Sequence, residues 1–319
     1  MQQTYRIPQL IDIKQAYQRI MAYIHHTPIL TCEAINKMAD SQLYFKCENF
    51  QKVGAFKARG ATNAILKLPP KLKQNGVATH SSGNHAAALA RAAKETGTKA
   101  YIVMPSSAPA IKKAAVKQYG GKIIECEPTL KAREAALEKV VEETGAAFIP
   151  PYDYMDVIEG QATCALEMWN EEIPFDVIIT PVGGGGLLAG TALTTHYLSR
   201  KTPVYGAEPK GADDAFRSLK ANKIIPMEHP DTIADGLLTS LGKRNFEIIS
   251  QYVAGILTVT DEEIIAAMRL IFERMKIVIE PSSAVPLAAV LANKAIFENK
   301  RVGIVISGGN VDVSKLPFK

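Results

Sequence analysis

A chain of 319 residues with 47% hydrophobic and 22% charged content has the composition of a globular protein and is long enough to bury more than one large core. The net charge of +5 is spread along the chain, no basic block carries the interleaved aromatics that favour nucleic acid, and no apolar run approaches the roughly 18 residues that span a bilayer. Met1 to Leu10 is polar and lacks the apolar centre of a secretory leader, and Cys32, Cys47, Cys126 and Cys164 are far apart without a Cys-x-x-Cys spacing, so a cytoplasmic protein with neither metal cluster nor disulfide framework is expected.

Taken in order, Ile11 to Tyr23 has helical apolar spacing, Thr27-Pro28 forces an extended turn, and Gln42 to Cys47 reads as a short strand. A loop containing Lys57 leads to a helix predicted from Gly60 to Leu68, which Lys67-Leu-Pro-Pro-Lys71 breaks. Strands and helices then alternate. Val77–Ser81, Ala100–Met104, Lys122–Cys126 and Ala147–Ile149 read as strands; Gly83–Glu95, Ala110–Tyr119 and Lys131–Glu143 read as helices. That alternation implies βαβ units on a parallel sheet. After Pro150-Pro151 come a helix over Gln161–Trp169, an apolar strand over Asp176–Val182, a helix over Leu187–Leu198 and a strand over Val204–Ala207. Asp261–Met275, capped by Thr260, and Ser282–Asn293 read as helices, and Val302–Ser307 as the last strand. The expected architecture is α/β in two domains: a discontinuous large one (1–70 and 151–319) and a small one inserted at 71–150.

Four stretches can carry chemistry. In Gly54-Ala-Phe-Lys-Ala-Arg-Gly60, Lys57 stands near a helix N-terminus, whose positive end disfavours the ammonium form; a neutral amine can form a Schiff base with an aldehyde. Gly183-Gly-Gly-Gly186 joins a strand to a helix, so its N–H groups can curl around a phosphate; it matches neither a P-loop nor a dinucleotide fingerprint. Ser81-Ser-Gly-Asn-His85 has the same context and suits a small carboxylate, while also being adequate as a capping loop in which Ser82 satisfies the helix. Ser307-Gly-Gly-Asn310 closes the last strand at the sheet edge where open α/β folds bind ligands. Separately, Glu208 and Asp214 form an acidic turn that is either solvated or able to hold a hard cation.

In this order the stretches resemble the serine racemase and serine/threonine dehydratase branch of the fold type II pyridoxal phosphate enzymes, the tryptophan synthase β-like fold, in which twisted, mainly parallel sheets carry helices on both faces. The resemblance runs from about Thr27 to Asp312 and rests on Ala55-Phe-Lys-Ala-Arg-Gly-Ala61, Ser81 to His85, the four glycines, Thr232-Ile-Ala-Asp-Gly236, Ile279-Glu-Pro281 and Ser307 to Asn310. It implies that Lys57 carries the cofactor aldehyde and acts as base, that Phe56 lies against its ring, and that Asn84 meets its phenolic oxygen. Gly183, Gly184, Gly185, Gly186 and Leu187 would hold the phosphate, and Ser307 would face the ring nitrogen. A neutral serine there leaves that nitrogen largely unprotonated and favours elimination. Ser81, Ser82, Gly83 and His85 would hold the substrate, with Ser82 as the second acid/base that racemisation needs. Glu208, the Ala212 carbonyl and Asp214 match a divalent-cation site for Mg2+, Mn2+ or Ca2+.

The resemblance implies a racemase that also eliminates water from L-serine and L-threonine, acting on a small amino acid as a homodimer, with ATP as a candidate activator. A threo-3-hydroxyaspartate dehydratase, or a threonine dehydratase without racemase activity, is the alternative. Ala55 stands where the family has serine, Ala86-Ala87 where it has Gly-Gln, and Ala162 where it has glycine; Pro151-Tyr152-Asp153 is closer to dehydratases. A sulfhydrylase-type synthase is disfavoured by Arg59-Gly60, and an inactive binding protein by the presence of both Lys57 and Ser82.

Overall fold

The structure, a computed structural model, describes residues 5–318. Helix α1, Leu10–Ile20, buries Ile13, Ala16 and Ile20 on one stripe. A short strand β1 (Ile29–Leu30) and helix α2 (Glu33–Ala39) precede β2, Gln42–Cys47, which has the expected bounds. Helix α3 spans Lys57–Lys67, so Lys57 is its first residue rather than part of a loop before it. Gly60, expected to open the helix, lies inside it. A Cβ there would come within 2.5 Å of Gln161 Nε2, and a Cβ on Gly160 within 2.5 Å of the Gly60 Cα. The two glycines therefore mark where α3 meets α8 (Met155–Asn170) nearly backbone to backbone; the same pairing explains why α8 starts before the expected Gln161. Pro70 sits in the first turn of α4, Pro70–Asn75.

The next strands, β3 (Val77–His80), β4 (Ala100–Pro105), β5 (Lys122–Cys126) and β6 (Ala147–Phe148), form a parallel sheet in the order β5-β4-β3-β6. Helices α5 (Asn84–Glu95) and α6 (Ala110–Gln118) cover one face with α3, and α7 (Leu130–Thr144) covers the other. A second sheet has the order β1-β2-β10-β7-β8-β9, with β7 at Val177–Pro181, β8 at Val204–Pro209, β9 at Gly255–Val259 and β10 at Arg301–Ile306. Its pairings are parallel except for β1 on β2. Val177 and Ile179 face one core and Ile178 the other, which is why β7 reads as unbroken apolar sequence. One core holds α2, α12 (Asp261–Leu270) and α13 (Pro281–Ala292); the other holds α1, α8, α9 (Gly186–Leu198) and α11 (Lys243–Tyr252). Thr260 caps α12 as expected, but regular helix stops at Leu270 and a wider π turn covers Ile271–Met275. Helices α10 (Asp214–Ala221) and α11, with strand β9, lie in a stretch where sequence patterning predicts no element.

Between β2, α3 and α8 lies a fully buried ionic cluster of Lys46, Glu48, Arg59 and Glu167. Arg59 donates from Nε and Nη2 to Glu48, at 2.7 Å each, and from Nη1 and Nη2 to Glu167, at 2.8 and 2.7 Å. Lys46 Nζ donates to Glu167 at 2.6 Å and to the Thr27 carbonyl at 2.7 Å. Two cations face two carboxylates, and burial is tolerable because every charge is paired and hydrogen-bonded. Glu167→Gln leaves two buried cations on one carboxylate; we expect a loss of about 3–5 kcal/mol in denaturant unfolding, and a change under about 1 kcal/mol would show the cluster to be expendable.

Candidate active site

The loops that the sequence singles out meet at the carboxyl ends of the strands, around a cavity of about 560 Å3. Phe56 and Lys57 line it from the start of α3, Ser81 to His85 from the loop after β3, Gly183 to Leu187 from the loop after β7, and Ser307 from the end of β10. The expected metal ligands Glu208, Ala212 and Asp214 do not line it.

The Nζ of Lys57 donates to the Pro151 carbonyl at 2.8 Å and stands 5.1 Å from the centre of the Phe56 ring and 6.0 Å from that of Tyr152. Burial moves its pKa from 10.5 to about 8, against an opposing pull from the Glu280 carboxylate. Burial is thus the main cause, where the sequence suggests the helix end.

The glycine run is buried, and the N–H groups of Gly183 to Gly186 donate to no main-chain or side-chain acceptor among the described residues. Amides left this way at the start of α9 form an anion cradle. Gly185 has φ +92°, open to glycine at little cost, and a Cβ on Gly184 would enter the Tyr152 ring. Asn245 Nδ2 fixes the loop from behind by donating to the Gly184 carbonyl at 2.6 Å.

Gly83, not Ser82, caps α5, so the Ser82 side chain is not spent on the helix. His85 is buried against the Ile149 carbonyl, 3.2 Å from its Nε2, and burial with Lys57 nearby pushes its pKa down to about 3, so the ring is neutral. Ser307 Oγ lies 3.0 Å from Ser283 Oγ in a pair where either hydroxyl can donate. Asn84 Nδ2 donates to both oxygens of Glu280, at 3.1 and 3.0 Å. Sequence patterning assigns no role to Glu280, Tyr152 or Arg133, all of which line the cavity. The Ile279-Glu-Pro281 motif pointed to Glu280 without saying what it touches; nothing in an amphipathic helix sets Arg133 apart from other surface cations.

Glu208, at the end of β8, accepts from the amides of Ala215 and Phe216 at 3.1 and 2.9 Å. Asp214 Oδ2 accepts from Leu241 N at 2.7 Å, while the buried Oδ1 has no partner. Burial raises both pKa values, that of Asp214 to about 6. No group of three or more His, Cys, Asp or Glu residues that could hold a metal occurs among the described residues, so any cation here would depend on the Ala212 carbonyl as well.

Residues 20–308 match the family described as pyridoxal-phosphate dependent enzyme. The chain is 48% identical to a beta-hydroxyaspartate dehydratase of Paracoccus denitrificans, over 98% of this chain and 99% of that one. It superposes on the crystal structure of serine racemase from Dictyostelium discoideum with a TM-score of 0.92 at 49% identity, covering 96% and 99% of the two chains. The structure of maize serine racemase gives a TM-score of 0.95 at 43% identity, covering 98% of this chain and 96% of that one.

Because its proton leaves near pH 8 rather than 10.5, Lys57 of the cofactor-free protein should react with an amine-directed acylating reagent in mildly alkaline solution, where exposed lysines remain protonated. Peptide mapping across a pH series is expected to place its labelling midpoint near 8; a midpoint shared with surface lysines would mean that the amine is solvated.

Proposed function

The chain belongs to the pyridoxal-phosphate-dependent enzymes, and on that premise we propose that it is a serine racemase that also removes water from L-serine and L-threonine, giving keto acid and ammonia. The observation that carries the reading is the convergence of a buried amine of lowered pKa with four buried, unpartnered glycine amides in one cavity. The amides of Gly183 to Gly186, with Leu187, fit the phosphate of the cofactor, the Phe56 ring its flank, the Asn84 amide its phenolic oxygen and Ser307 its ring nitrogen. Bound there, pyridoxal phosphate supplies an electron sink for the substrate's α-carbon.

The protein's own groups do the rest. Lys57 Nζ, neutral in a large fraction of molecules at slightly alkaline pH, would hold the cofactor's aldehyde end and would serve as the base for the α-carbon proton. Ser81, Ser82, Gly83 and the main-chain N–H of His85 orient the substrate carboxylate by hydrogen bonds, while the neutral His85 ring spends its one N–H on the Ile149 carbonyl. The Ser82 hydroxyl, not needed by the helix, returns a proton to the α-carbon from the other side. The unpartnered Oδ1 of Asp214 is suited to a divalent cation shared with Glu208 and the Ala212 carbonyl, Mg2+ by preference. ATP as an activator, a homodimer, a cytoplasmic location and the division into domains 1–70 with 151–319 and 71–150 complete the proposal; the two separate sheets support that division, and no helix among the described residues is long and apolar enough to cross a membrane.

The test is a panel of L- and D-serine, L-threonine and threo-3-hydroxyaspartate, with and without a strong chelator. Ammonia, keto acid and D-serine are followed. We expect turnover of L-serine to pyruvate and D-serine, lowered by chelation. Lys57→Ala is expected to abolish both products and Ser82→Ala to remove D-serine alone; equal loss of both in Ser82→Ala contradicts its assigned role.

A second reading, hydroxyaspartate dehydratase, is favoured by one feature. Arg133, on α7, faces the cavity with its Nε buried and without a hydrogen-bond partner. A substrate bearing a second carboxylate would satisfy it. On this reading, Arg133→Met lowers kcat/KM for hydroxyaspartate relative to L-serine by at least about thirtyfold; an unchanged ratio excludes such a contact.

A further inference from the structure

We propose that Glu280 is a positioning residue for this reaction: it fixes the amide of Asn84 so that one N–H of that amide stays aimed at the cofactor's phenolic oxygen. The inference rests on the function proposed above, and concerns a buried carboxylate which that function leaves idle.

The orientation of Asn84 follows from donors and acceptors alone. Asn310 Nδ2 donates to the main-chain carbonyl of Val53 at 2.8 Å, and a carbonyl can only accept, which identifies that atom as nitrogen. The same nitrogen lies 2.9 Å from Asn84 Oδ1, which must therefore be the amide oxygen. Asn84 Nδ2 is left facing both oxygens of Glu280. The carboxylate occupies one hydrogen of this NH2 group, and the other is free to point into the cavity. If the amide flipped, an oxygen would face the carboxylate and an NH2 would face an NH2, so both contacts would be lost.

Glu280 itself has little freedom. It is 4% exposed and caps the start of α13; its Oε2 accepts from Asn310 N at 3.2 Å. A Cβ on Gly308 would fall 3.0 Å from its carboxyl carbon, so the strand end after β10 leaves just enough room for it. The charges facing it are Lys57 from α3, Lys112 from α6 and Asp235 from the turn after Ala234; His85 on α5 is neutral. Burial raises its pKa to about 7 against the pull of the Asn84 contact. An ionised Glu280 polarises the Asn84 amide strongly, and a protonated one weakly. The sign follows: as pH rises through neutrality the carboxylate forms and the hold on Asn84 tightens.

The protein reconstituted with pyridoxal phosphate provides the test, read by the absorbance spectrum of the bound cofactor across the neutral pH range and by steady-state kinetics on L-serine. Glu280→Gln is expected to retain cofactor but lose the spectral transition near neutral pH, with kcat down at least about tenfold and KM changed by less than about threefold. Glu280→Asp should restore part of the transition. In Asn84→Ala the further change Glu280→Gln should have no additional effect on the spectrum, because the path through the amide is already cut. A Glu280→Gln protein with the wild-type spectral profile overturns the inference, as does one whose spectrum shifts equally with and without Asn84. Wild-type protein that takes up no cofactor overturns the proposed function and this inference together; normal uptake with an indifferent Glu280→Gln overturns only the latter.

Discussion

The fastening of α3 is the constraint on which the site depends. Lys57 is the first residue of that helix, and two residues later Arg59 is locked between Glu48, next to β2, and Glu167 on α8. A guanidinium with two carboxylate partners in fixed planes cannot slide without breaking several charge-assisted bonds at once. At the very next residue, Gly60 meets Gly160 and brings two backbones together. The amine therefore projects from a support held by charge on one side and by steric fit on the other.

The cavity's electrostatics have one dominant cause. Burial penalises whichever form is charged, so it lowers Lys57 to about 8 and His85 to about 3, and raises Glu280 to about 7. Near neutral pH the site thus holds a lysine within reach of losing its proton, a carboxyl near its midpoint and an imidazole that stays neutral. A protein that moves protons at a carbon centre needs groups that exchange them at little cost, and removal from water provides them. The amides of the glycine run complete the balance as the site's fixed positive partial charges.

Much of this was legible in the chain. The α/β alternation, the strand at Gln42–Cys47 and the loops at Ser82, Gly183 and Ser307 follow from periodicity and from glycines at strand ends, whereas the expected loop at Lys57 is the first turn of α3. Local reasoning misplaced the starts of α3 and α8 because it treats glycine as punctuation, whereas Gly60 and Gly160 are interior packing contacts. It passed over α10, α11 and β9, which are only eight, ten and five residues long, although the two helices are amphipathic and the strand is largely apolar. Glu280 and Arg133 were beyond its reach for a different reason. Asn84 and Glu280 are 196 positions apart, and their pairing exists only once two sheets have brought their loop edges together.

The contact between Gly60 and Gly160 has a consequence for natural variation. A methyl group at either position has nowhere to go except between two helices, one of which carries the reactive amine. The least reactive residue of the twenty therefore governs the aim of the most reactive one in this cavity. A family member that drifted at position 160 could keep every polar side chain described above and still fall silent, its defect invisible to any inventory of functional groups and plain only in the distance between two helix axes.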